Sequence, residues 1–146
     1  MTVTYYDLDI KVFSKLNEQN SSIKTWYPKA SGIADYVASW GMHRFWAMSR
    51  SPLAPGGGIT TELEELSYFA WDVARRVLCE IVDSNLELDA NSSTTDFHAT
   101  FDGLDMNQQL MLTELLIEIS EAIQFWSVRM KQVHDLNQKS PKPKVV

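Results

Sequence analysis

The sequence predicts an all-α fold, a single-domain bundle of four main helices with a long acidic loop before the last. Three observations carry this. Apolar residues recur at three- and four-residue spacing in four separate segments. The breaks between them hold helix-ending residues, above all the run SPLAPGGG at 51–58. At 146 residues the chain fits one domain, and a domain of that size buries about 68–70% of its unfolded surface.

Residues 4–18 form the first predicted helix. Tyr5, Leu8, Val12, Phe13 and Leu16 make its apolar stripe, with Lys11, Lys15 and Glu18 off it. Asn20, Ser21 and Ser22 break the pattern, and Pro28 biases Tyr27 away from helix. Ser31 is then the expected N-cap of a central helix over 31–50, with Asp35 near its positive end. This is the most aromatic helical segment of the chain. Ile33, Tyr36, Val37, Trp40, Ala47 and Met48 share one face, while Met42, Phe45 and Trp46 fall off it. A helix apolar nearly all round is either enclosed by its own domain or partly reserved for a partner. Both readings stand here, and Trp40, Met42, Phe45 and Trp46 are the candidate protein-interface residues.

Past the glycine-rich connector, Thr61 and Glu64 make a capping box for a helix expected to run to about Val82. Its stripe is Leu63, Leu66, Ala70, Val73, Ala74, Val77 and Ile81. Residues 83–103 are rich in Ser, Thr, Asn and Asp and read as a long acidic loop, pinned at its far end by Phe97 and Phe101. Asp105 caps the last and longest helix, with Leu112, Leu116, Ile119, Ile123, Trp126, Met130 and Val133 on its stripe. Residues 1–137 are thus the bundle, and 138–146 a disordered basic tail.

No catalytic pattern is found. The glycine triplet has neither phosphate-loop spacing nor a following Gly-Lys-Ser/Thr, and no Gly-x-Ser-x-Gly elbow occurs. Glu114, Glu118 and Glu121 share a helix face, but a di-metal bundle needs Glu-x-x-His on two helices. His43, His98 and His134 all lack that partner. They also fail as a zinc set, because Cys79 is the only cysteine. A lone thiol in an apolar helical pattern reads as a buried structural residue and fits a reducing cytoplasm. The N-terminus carries no secretory signature, and no apolar run is long enough to span a membrane. The expectation is a cytoplasmic protein that is not an enzyme and takes no cofactor, metal or small-molecule substrate.

The net charge of −6 is uneven. Residues 1–51 carry six Lys/Arg against four acids, residues 52–104 two against ten, and residues 105–146 five of each. This is not the basic excess of a freestanding nucleic-acid binder. A local patch is still possible, since arginines beside exposed aromatics suit backbone contact and stacking on RNA. Arg44, Arg50, Arg75, Arg76, Arg129 and Lys131 are the candidate nucleic-acid contacts. The competing reading is ordinary surface arginine paired with nearby acids.

The order of features resembles a known family. A leading amphipathic helix is followed by TWYPKASGI, a helix with an internal glycine before aromatics (YVASWGMHRFWAM), a Gly/Pro break and a closing helix, EISEAIQFWSVRMKQ. This resembles the small helical subunit of type III (Cmr-type) CRISPR effector complexes, part of antiviral defence. The resemblance implies a non-catalytic subunit, packed on other effector subunits and copies of itself and contacting guide and target RNA. Met42 stands where that family commonly has Leu. The acidic middle departs from the family's basic face, which weights subunit packing above direct RNA contact. The alternative is an acidic helical adaptor or inhibitor that binds one protein, its acids imitating nucleic acid.

Overall fold

Thr4 opens the first helix from extended backbone, its hydroxyl accepting the Asp7 amide N–H at 3.1 Å. The computed structural model describes residues 4–50 and 62–139. The glycine-rich connector, Thr61 of the expected capping box and positions 140–146 of the expected tail lie outside the described residues. Helix α1 spans Tyr5–Asn17, α2 Ile23–Trp26, α3 Ile33–Arg50, α4 Glu62–Ser67, α5 Phe69–Ile81, α6 Thr94–Asp102 and α7 Met106–Lys139. The described residues include no strand, so the all-α expectation holds. The four expected helices become seven among the described residues.

Helix α7 is the spine. Its 34 residues span roughly 51 Å at 1.5 Å per residue. Asp105 and Gln108 cap it reciprocally: Gln108 N–H donates to Asp105 Oδ1 at 2.8 Å, and Asp105 N–H to Gln108 Oε1 at 3.1 Å. Leu112, Leu116, Ile119, Ile123 and Met130 are buried along one side, where α1, α3 and α5 pack. The spine runs on to Lys139, so positions 138 and 139, expected in the tail, are helical. No helix among the described residues is long and apolar enough to cross a membrane.

Helix α3 is two helical halves joined at Gly41, which has φ 84 and ψ 178. Only glycine adopts that combination readily. One extended residue contributes no helical rotation, so the buried face slips by about one position. Ile33 and Val37 are followed inside by Met42, Phe45, Trp46 and Ser49, in place of Trp40, Ala47 and Met48. The cap also differs from expectation. The helix starts at Ile33, and the preceding position is Gly32, at φ 87, not Ser31.

The single helix expected over 61–82 is broken at Tyr68, whose backbone has φ −97 and ψ 12. Tyr68 N–H bonds three residues back to Glu65 at 3.2 Å, and its carbonyl accepts Asp72 N–H at 3.1 Å to restart the helix. The break lets α4 turn onto α2 while the Tyr68 ring sits 4.6 Å beneath Lys29 Nζ.

The expected acidic loop is largely structured. Asp83 caps a 3-10 turn at Ser84–Leu86, and Asp89 bonds Asn91 N–H at 2.9 Å. Ser93 caps α6 by accepting Asp96 N–H at 3.1 Å. The polar residues that looked like a loop are caps and turns, each satisfying backbone donors. Phe97 and Phe101 are buried, as expected, and α6 packs on α3.

Candidate functional site

Four of the five tryptophans tie the bundle together by their indole N–H. Trp26 donates to Gln19 O at 2.8 Å, Trp71 to Lys29 O at 2.9 Å, Trp46 to Ser92 O at 3.0 Å and Trp126 to Asp9 Oδ1 at 3.1 Å. Trp46 also stacks on Phe97 at 4.0 Å with the rings nearly parallel. Met42, Phe45 and Trp46 are therefore sealed in the core. They leave the set of expected interface residues, because the Gly41 slip turns them inward. Trp40 stays outside, 54% exposed, with Arg44 over its ring at 4.4 Å.

The expected basic set also divides. Arg75 is only 3% exposed. Its guanidinium donates to Ala90 O and Ser49 O, each at 2.8 Å, and pairs with Asp72. Burial lowers its pKa, Asp72 opposes that shift, and the nearby charge of Arg50 lowers it further. Arg75 thus clasps the end of α3 to the segment before α6, and it cannot touch RNA. Arg76 bonds Asp72 Oδ2 at 2.9 Å and lies 3.7 Å from Glu18. Lys131 is held by Asp135 at 2.8 Å and lies over the Tyr27 ring. Arg44 and Arg129 are exposed and Arg50 is half-buried, and none of the three makes an ion pair with a described residue. Arg44 and Arg50 share the second half of α3, whereas Arg129 stands on α7. The six expected contacts do not form one patch.

The His43 side chain is partly exposed. Its ring lies against His98, tilted by 56° with the centroids 4.0 Å apart, and its Nε2 is 2.9 Å from Asp102 Oδ1. His43 Nδ1 and His98 Nε2 are buried without a hydrogen-bond partner. Two imidazoles on one tetrahedral ion, with metal–nitrogen bonds near 2.0–2.1 Å, would hold their centroids about 5 Å apart. The closer approach marks a clasp between α3 and α6. Among the described residues no group of three or more His, Cys, Asp and Glu could hold a metal ion. Cys79 is half-buried, and its thiol is pushed up to about 12, chiefly by desolvation. A thiol held protonated is a poor nucleophile.

An exposed apolar face lies across α1 and the second half of α7, and it takes in Phe13 and Val133, which their spacing had placed on the buried stripes. Tyr6, Ile10 and Phe13 are exposed along α1, and Phe125, Val133 and Leu136 along α7. Trp126 bridges them, 5.2 Å from Phe13 and 4.9 Å from Phe125. A groove of about 690 Å³ runs between the helices, lined by Phe13, Trp126, Met130 and Val133, with Arg129 and Glu18 among its polar residues. The positions 6, 10 and 13 are themselves helically spaced, so the signal for a second apolar face on α1 was present in the sequence. Compared with protein-family models, curated proteins and solved structures, the chain matches no family, no protein and no structure.

Proposed function

We propose that this chain is a non-catalytic helical subunit that works by docking onto other proteins. One observation carries the reading: six large apolar side chains of α1 and the second half of α7 are exposed although the core is closed without them, and two of them, Phe13 and Val133, line one groove. Contiguous apolar surface of this kind marks association sites in water. Tyr6, Ile10, Phe13 and Phe125 form the docking face, and Trp40 with Arg44 makes a smaller second contact.

The resemblance to the Cmr-type small subunit narrows the partners to the other subunits of a cytoplasmic CRISPR ribonucleoprotein and to copies of the chain itself. In that setting direct contact with guide or target RNA falls to Arg44, Arg50 and Arg129, the three of the six expected cations that make no ion pair with a described residue. The adaptor or inhibitor reading is favoured by a different observation. Glu114, Glu118 and Glu121 stand exposed in a row along α7, with no ion pair to any described residue, as the acids of a nucleic-acid mimic would.

Affinity purification of the tagged chain from its native cells tests both. Copurification with several protein subunits and RNA, with the proteins lost in Phe125→Lys and the RNA weakened in Arg44→Glu/Arg50→Glu, is the expected result. A single protein partner without RNA favours the adaptor. Partners unaffected by Ile10→Glu and Phe125→Lys overturn the docking face.

A further inference from the structure

A second groove lies at the opposite end of α7. It occupies about 540 Å³ between the close of α5 with its 3-10 turn and the first turns of the spine. Its apolar lining joins the buried Val82 and Leu86 with half-buried Leu115 and the exposed Met111, and Asp83, Glu114 and Glu118 line it too. Glu114 and Glu118 make no hydrogen bond or ion pair with any described residue, and among the described residues the Asp83 carboxylate accepts only the Asn85 amide.

We infer that this groove receives a basic amphipathic helix of another protein. The apolar lining supplies burial for one face of a helix, and methionine adapts to irregular partners because it is unbranched and polarisable. The three carboxylates offer charge complementarity to lysines and arginines on the helix's flanks. Glu87 and Asp89 follow the 3-10 turn in sequence and add to the negative charge on that side. The same field repels the two other classes of apolar or extended ligand. Phosphate backbones and anionic lipid surfaces both require basic contacts, which this groove lacks. The inference stands apart from the docking face proposed above, which lies at the other end of the spine.

The test uses the full chain and a fluorescein-labelled synthetic peptide with leucines at helical spacing and lysines elsewhere. A peptide with glutamates in place of the lysines is the control. Anisotropy should show saturable binding of the lysine peptide only, weakening as salt is raised. Glu114→Lys/Glu118→Lys should weaken it at least about tenfold. Glu121→Lys changes charge on the same helix but outside the groove lining, and should change it less than about threefold. Backbone amide shifts in NMR should cluster at residues 82–86 and 106–118. Absence of saturable binding overturns the inference, as does equal weakening by Glu121→Lys or shifts confined to α1 and residues 125–136. So does a concentration-dependent dimer that the double variant dissolves, because the occupant would then be a second copy. Thermal melts of each variant check that the fold is intact.

Discussion

Replacing Gly41 by alanine separates two pictures of the central helix by the sign of one number. In an unbroken helix, alanine would stabilise the fold by about 0.8–1.0 kcal/mol, the ordinary penalty of a mid-helix glycine. At φ 84 and ψ 178 the expectation reverses. A Cβ built there meets no atom within 4 Å, so crowding contributes nothing and the whole effect is backbone strain. Holding a non-glycine residue in that region costs about 1–3 kcal/mol. For a chain of this size each kcal/mol lowers Tm by about 2–4 °C. The Gly41→Ala variant should therefore melt roughly 2–12 °C below the parent, with the urea midpoint moving the same way and an unchanged slope. Circular dichroism at 222 nm reads both. An unchanged or raised Tm would mean that α3 runs straight, and that the inward turn of Met42, Phe45 and Trp46 has some other cause.

Other substitutions probe the clasp and the surface. Arg75→Met leaves Ser49 O and Ala90 O without their donor and removes the buried partner of Asp72, so urea unfolding should show a loss of about 3–5 kcal/mol. Trp40→Ala should leave stability within about 0.5 kcal/mol of the parent, while a deletion of the buried Trp46 side chain should lose about 3–5 kcal/mol. Cys79 should react slowly with a thiol reagent at pH 8 in the native state and rapidly in urea. Its folded pKa is raised, so the stability it contributes is fully present below its ordinary pKa of 9.0 and is lost as pH rises toward about 12. Alkaline urea titrations should therefore show the parent losing more stability than Cys79→Ser over that interval.

Much of the bundle is visible in sequence because its helices announce their own ends. Thr4 and Asp105 carry short-range caps, and the spacing of Leu112, Leu116, Ile119 and Ile123 needs no knowledge of the rest of the chain. Local signals also existed for α6, where Ser93 and Asp96 stand three apart and Phe97 and Phe101 four apart. The density of other turn-forming residues around them hid the pattern. The misplacements arise where a distant contact decides. A lone glycine in a helical run does not disclose that it will bend, and a dibasic pair does not disclose which arginine is covered. Arg75 is buried because the segment ending near Ala90 folds over it, fifteen positions away. The exposed Trp40 and the buried Phe45 and Trp46 of α3 were exchanged across one extended residue, Gly41, that lies between them.

The meeting of the first helix with the last has a bearing on synthesis. Trp126 reaches back to Asp9 across 117 positions, and α1, α3 and α5 all lean on α7. A growing chain on the ribosome holds those three helices with no spine to cover them. Their apolar sides must wait, shielded by chaperones or by each other, until α7 emerges and the bundle closes in one late step.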